Sequence, residues 1–218
     1  LKYTNANIFS VDSSNAVYAN YKNNETYLQD KLKLYKASIY DLPFEKMQFD
    51  IVICLGVLQH TPDISRTVKC LCEQVTKNGL IIIDFYPYNG FWTLISAKYM
   101  LRPFTKRMTF DQLYNFFKNK IPFLIKLYYL LKNNKLGILC RFLPIPDINK
   151  TIPTNLNPDL LAEMVLLDTI DMFSPEYDQP QKIKNIKNKI SEQNFRILYA
   201  GKVKYGSFTS SLVRGKKN

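Results

Sequence analysis

A chain of 218 residues with 46% hydrophobic and 14% aromatic side chains is long enough to bury a sizeable core and too apolar to be disordered. Its 30 Lys and Arg outnumber 18 Asp and Glu for a formal charge of +12, which admits nucleic acid, an anionic membrane surface or a negatively charged substrate as partner. No window offers the roughly 20 uninterrupted apolar residues of a bilayer span, and no leader peptide opens the chain, so a cytoplasmic location is expected.

The chain starts at Leu1 in what reads as the tail of an element, so an N-terminally trimmed chain is expected. Residues 7–11 form a short apolar strand pattern that ends in Asp12-Ser13-Ser14, residues suited to capping a helix over 15–23. Asp12 has a second reading. In dinucleotide-binding folds an acid at this place accepts from ribose hydroxyls, about 20 residues after a glycine-rich loop. That count from Asp12 falls before Leu1. Residues 32–37 read as the next strand, followed by a loop over 38–44.

Residues 49–55 are a nearly continuous apolar run with β-branched members, the pattern of a strand buried on both faces. The run breaks at Gly56 into Val57-Leu58-Gln59-His60-Thr61-Pro62-Asp63, and a helix over 64–76 follows. Val68, Leu71, Cys72 and Val75 recur on one face of that helix, and Asn78-Gly79 reads as its stop. Residues 80–83 form a second buried strand, closing with 84–90. Strand, loop, helix is the order found at the carboxyl edge of a parallel sheet, where open α/β folds bind ligands.

The motif Phe49-Asp50-x-Val52, Gly56-Val57-Leu58-Gln59-His60-Thr61-Pro62-Asp63, together with Asp41-Leu42-Pro43-Phe44 before it and the 77–84 segment after it, resembles the central part of class I S-adenosylmethionine-dependent methyltransferases. The resemblance implies a Rossmann-like, doubly wound α/β fold with a mostly parallel sheet and an antiparallel last strand. It also implies a first strand and glycine-rich loop that are expected to fall before Leu1, so the chain from Leu1 on is expected to bind the cofactor poorly by itself. S-adenosylmethionine is the implied cofactor. The implied cofactor-binding residues are Asp12, Ser13, Ser38, Ile39, Leu55, Gly56, Val57 and His60. An acid often receives the adenine amino group where Ser38 stands, so the Ser38 hydroxyl, backbone groups and Ile39 would take that role here.

The 91–148 stretch is apolar, aromatic and basic at once, and Pro103, Pro122, Pro144 and Pro146 cut it into short helices. It is too long for a simple connection, so a helical insertion over 91–157 is expected. It reads as a cap on the sheet, a substrate-pocket wall, or a basic amphipathic element in peripheral contact with a membrane. Residues 158–173 read as a further helix, 181–193 as another, and 195–204 with 207–214 as a hairpin turning at Tyr205-Gly206. The 158–218 segment completes the core that 1–90 begins. Residues 167–180 and the ending at 211–217 resemble a subgroup of bacterial methyltransferases with the same insertion, which implies a small-molecule or glycan-type acceptor.

Methyl transfer from a sulfonium needs alignment and desolvation, and neither a metal nor a nucleophilic triad. His60 is the side chain whose ordinary pKa lies near neutrality, so it reads as a general base, as a lining residue of the cofactor pocket, or as a structural residue. Asp84, Asp168, Asp171 and Asp178 are acidic alternatives, each also suited to a cap or turn. Tyr86, Asp171 and Tyr177 are the candidate substrate residues. Cys54, Cys70, Cys72 and Cys140 read as reduced thiols and not as metal ligands. Nucleic acid is disfavoured as a partner, because the cations are scattered and carry no recognised binding motif. The competing reading is a non-catalytic module, either a degenerate methyltransferase fold or a basic protein that binds a surface or RNA through the insertion.

Overall fold

The computed structural model describes residues 4–27, 31–205 and 208–218. The elements run β1 (Ile8–Asp12), α1 (Ala16–Asn23), β2 (Leu32–Lys36), β3 (Phe49–Cys54), α2 (Ile64–Gln74), β4 (Val75–Phe85), α3 (Phe91–Leu94), α4 (Ala97–Thr105), α5 (Phe110–Lys118), α6 (Ile121–Asn133), α7 (Ile148–Thr151), α8 (Pro158–Phe173), α9 (Ile183–Ser191), β5 (Phe195–Tyr205) and β6 (Phe208–Lys217). Short 3-10 turns at Glu25–Tyr27, Leu58–His60 and Gly137–Phe142 punctuate the chain. The expected start of the chain and the Tyr205-Gly206 turn fall partly or wholly outside the described residues.

The α/β class and the Rossmann-like strand pairing are as expected. β1 pairs parallel with β2 and β3 parallel with β4, while β6 runs antiparallel between β4 and β5. The strands divide into two sheets, β1-β2 and β3-β4-β6-β5. Between them Phe9, Phe44 and Phe49 meet edge to face, with ring centroids 5.0–5.9 Å apart.

Two expectations about the central strands need correction. β3 is not buried on both faces: α2 and the core cover the side bearing Val52 and Cys54, whereas Ile51 and Ile53 on the other side are 52% and 60% exposed. Apolar β-branched composition alone does not reveal which face a neighbouring layer covers. Asn78-Gly79 is also not a helix stop. α2 ends at Gln74, and β4 starts at once at Val75, taking in Asn78 and Gly79 as a bulge between the pairs Phe49↔Val75 and Ile51↔Leu80. A Cβ on Gly79 would stand 2.8 Å from the Asp50 carbonyl oxygen, so the bulge closes against β3 only because this residue has none.

The apolar side chains form two clusters. The first lies on the larger sheet: Val68, Leu71 and Cys72 of α2, Ile81, Ile83 and Phe85 of β4, Ile186 and Ile190 of α9, and Val213 of β6. The second is helical: Leu113 and Phe117 of α5, Ile121, Leu124 and Tyr128 of α6, and Val165, Ile170 and Phe173 of α8. Phe117 stacks on Phe173 at 5.4 Å. α8, grouped by the sequence with the terminal core segment, thus buries its apolar face among the insertion helices.

The helices of this second body begin where their caps dictate. Thr109 and Gln112 form a reciprocal capping box on α5, and Asn157 caps α8 with Pro158 in the first turn. Pro122 sits in the first turn of α6, where no backbone donor is missed, but Pro103 lies within α4 and does not end it.

Candidate functional site

The loops that leave β1, β2, β3 and β4 gather at one edge. Asp12 ends β1; its carboxylate accepts from the Ser14 amide at 2.7 Å, and the Ser14 hydroxyl accepts from the Ala16 amide. Asp12 and Ser14 therefore shape the turn ahead of α1, whose N-cap residue is Asn15. The Ser38 hydroxyl accepts from the Tyr40 amide, closing the turn after β2 and leaving its own proton free to donate among the described residues. Ile39 packs against the sheet core.

Tyr40 joins the two sheets at this edge. Its hydroxyl accepts from the Asp63 amide at 3.0 Å, donates to the Asp63 carbonyl at 3.1 Å and accepts from Thr67, while Arg66 lies over its ring. Asp63 caps α2 by accepting from the Arg66 amide.

The loop after β3 turns at Gly56, whose φ of +70° is a left-handed conformation that glycine adopts without strain. The Gly56 amide donates to the Asp84 carboxylate at 2.6 Å, and the Gly56 carbonyl accepts from Gln59 Nε2 at 2.8 Å. Asp84 is buried at the end of β4, so its sequence-level candidacy as a base resolves into holding this turn. Apart from its two chain neighbours, nothing lies within 4 Å of where a Gly56 side chain would start, and Leu55 and Val57 beside it are half-exposed. Leu58, Gln59 and Thr61 are buried instead. The result is an apolar ledge at a glycine turn, open to a flat ligand, with the Asp12 and Ser38 side chains on the same edge.

His60 stands at the end of the ledge. Its Nδ1 is 3.0 Å from the Tyr177 carbonyl oxygen, which can only accept, so Nδ1 is the donor of this bond and Nε2 is the nitrogen left to face a ligand. The His60 ring packs edge-on against Tyr86 at 5.7 Å. Burial pushes the Tyr86 phenol up to about 12, with further contributions from the carboxylates of Asp171, Asp178, Asp84 and Asp168, so Tyr86 is a neutral donor. Of the expected substrate residues, Tyr86 and Asp171 thus share one electrostatic environment, and Tyr177 reaches His60 through its backbone.

The insertion closes the far side of this edge with residues that the sequence reading missed. Lys98 of α4 pairs with the fully buried Asp178 carboxylate and lies 4.6 Å over the Tyr86 ring. Tyr99 also donates to Asp178, at 3.3 Å, and Arg102 donates to the Pro175 carbonyl at 2.7 Å. Burial pushes the Lys98 ammonium down, opposed by Asp178. Lys98 and Arg102 stand four residues apart in an apolar helix, a spacing that puts both on one face and marks that face as polar.

The 175–181 segment is laced across the edge. The Gln179 amide bonds the Gln59 carbonyl and its side chain bonds those of Thr61 and Pro62, while Gln181 exchanges backbone bonds with Tyr86 and Tyr88. Among the described residues no three His, Cys, Asp or Glu side chains come together as a metal site.

Residues 1–83 match the family model described as a methyltransferase domain. A tRNA U34 carboxymethyltransferase of Campylobacter fetus is 34% identical over 58 residues, 27% of this chain and 21% of that protein, and one of Campylobacter jejuni is 37% identical over 46 residues. The matched stretches thus span 21% and 16% of the length of these curated relatives. Among solved structures, PKMT2 of Rickettsia typhi superposes with a TM-score of 0.54 at 14% identity, over 88% of this chain and 34% of that one. A SAM-dependent methyltransferase of Methanosarcina mazei gives a TM-score of 0.50 at 11% identity, over 96% and 81%. The likeness at these identities is one of fold alone, a Rossmann-like α/β fold.

Proposed function

We propose that the protein is an S-adenosylmethionine-dependent methyltransferase whose acceptor is a small molecule or a glycan-type molecule. The observation that carries this reading is the convergence of Asp12, Ser38 and the Leu55-Gly56-Val57 ledge at the carboxyl edge of parallel strands, within the segment that matches a methyltransferase domain. These residues fit the cofactor: an acid for ribose hydroxyls, a hydroxyl donor beside a half-buried Ile39 for an adenine edge, and an open apolar glycine turn for a flat ring. When bound, S-adenosylmethionine supplies a methyl group on a good leaving group.

The chain's own residues do the rest. Asp84 fixes Gly56, and Gln59 and Gln179 fix the turn that carries His60. Nε2 of His60 takes the proton from an acceptor hydroxyl or ammonium, with the Tyr177 carbonyl accepting from Nδ1. Tyr86 donates to the acceptor and excludes water, and Asp171 and Lys98 orient its polar groups. The test is release of S-adenosylhomocysteine from S-adenosylmethionine across a panel of sugars, sugar nucleotides, small amines and tRNA. Turnover on a small or sugar acceptor that falls about 10²-fold or more in His60→Ala supports the reading; turnover on tRNA alone contradicts the acceptor class.

A further inference from the structure

The helical insertion has a second face that the site does not use. α4 turns Lys98, Tyr99 and Arg102 inward, while Met100, Leu101 and Phe104 point to solvent. Beside it, α3 exposes Phe91, Trp92 and Leu94, and the Gly137–Phe142 turn exposes Ile138, Leu139 and Phe142. Arg141 locks these pieces into one surface: its guanidinium donates to the Ile95 carbonyl at 2.9 Å and to the Trp92 carbonyl, and lies 5.1 Å over the Trp92 ring. Phe91, Trp92, Phe104 and Ile138 are between 60% and 74% exposed, large apolar groups standing in water on short elements that Arg141 ties together. A contiguous patch of this kind marks an interaction surface.

The charge around it selects the partner. Residues 91–157 hold eleven Lys and Arg against two Asp, so +9 of the chain's +12 lies in this one segment. Lys106 and Arg107 follow α4 and Lys135 precedes the Gly137–Phe142 turn, all exposed, and none meets a carboxylate among the described residues. A second copy of the chain docking patch to patch would bring Lys106, Arg107 and Lys135 of one copy against the same cations of the other. An RNA would meet the cations, but Leu94, Met100, Leu101, Ile138 and Leu139 have no π face on which a base can stack. An anionic bilayer satisfies both features: acyl-chain boundary for the aromatic and aliphatic groups, phosphate headgroups for the surrounding cations. No helix among the described residues is long and apolar enough to cross a membrane, so the contact is interfacial.

We propose that the outward face of α3, α4 and the Gly137–Phe142 turn docks on an anionic lipid bilayer. The site residues lie on the opposite face of the same helix α4, so docking brings the site within about one helix diameter, ~10 Å, of the headgroups. The proposal is independent of the methyltransferase reading and is tested without cofactor.

Trp92, the chain's sole tryptophan, lies within the patch and reports on it directly. The full chain is mixed with vesicles of phosphatidylcholine alone or with about one-third phosphatidylglycerol, and binding is read by flotation and by Trp92 emission. The expected result is co-flotation and a blue shift with the anionic vesicles, weakened by salt. Phe104→Asp and Ile138→Asp, both at exposed positions, each lower partitioning about ten-fold or more with unchanged circular dichroism, whereas Lys184→Glu on α9 lowers it little. The proposal is overturned by any of three results: no binding to anionic vesicles, binding that both patch variants retain in full, or a Trp92 shift produced by RNA or by self-association and not by vesicles.

Discussion

Around β4 the side chains of Ile81, Ile83 and Phe85 are buried, Ile51 and Ile53 of β3 stand open on one face, and the surface is mixed in charge, with nineteen cations and sixteen anions outside residues 91–157. Around α5, α6 and α8 an equally dry core lies beneath a surface that is itself aromatic and strongly basic. Both bodies bury what their folding needs. The difference shows that the hydrophobicity of the insertion exceeds what its own core consumes, and a large share of the excess stands on α3, α4 and the Gly137–Phe142 turn.

The comparison can be broken by asking whether the two cores stand alone. Phe173→Ala empties the middle of the helical cluster and is expected to cost about 3–5 kcal/mol, with hydrogen exchange accelerating across α5, α6 and α8 while amides of β4 and β6 stay protected. Equal loss of protection in both bodies would make them a single cooperative unit.

Asp178→Ala leaves Lys98 buried beside Arg102 without its carboxylate and is expected to cost about 3 kcal/mol in urea denaturation. Adding Lys98→Met to that variant should restore much of the loss; failure to do so would locate the cost elsewhere. In the sheet body, Gly79→Ala forces a Cβ against the Asp50 carbonyl and the Val75 side chain, for an expected loss of about 1–3 kcal/mol.

The smallest effect is an alkaline one. The Tyr86 phenol is raised from 10.0 to about 12, so between these values the unfolded chain releases a proton that the folded chain keeps. Stability from this group is full below pH 10 and is lost as pH rises toward 12. Tyr86→Phe should flatten that limb of the pH–stability curve, and an unchanged limb would mean that Tyr86 is not held in the buried, carboxylate-rich setting described above.

Much of this was legible in the sequence because the relevant signals are local. The strands 32–37, 49–55 and 80–83, the Gly56 break and the terminal hairpin each declare themselves through periodicity and turn residues. What the sequence obscured depends on tertiary layers. Ile51 and Ile53 read as core, since composition cannot tell a covered face from an open one. Asn78-Gly79 read as a helix stop because a bulge and a C-cap both favour glycine and positive φ. Lys98, Tyr99 and Arg102 were hidden among the insertion's many cations, and only the fold puts them opposite Asp178, about eighty residues away. Asp84 read as a possible base, and its role appears only when the Gly56 amide is seen on its carboxylate.

The most direct test of the cofactor edge is titration of S-adenosylhomocysteine into isotopically labelled protein, followed by amide chemical shifts. This measurement detects even weak binding and maps it. The account predicts perturbations concentrated at Asp12, Ser13, Ser38, Ile39, Leu55, Gly56, Val57 and His60, and their loss in Gly56→Val. Perturbations centred elsewhere, or an unchanged spectrum at millimolar ligand, would contradict it.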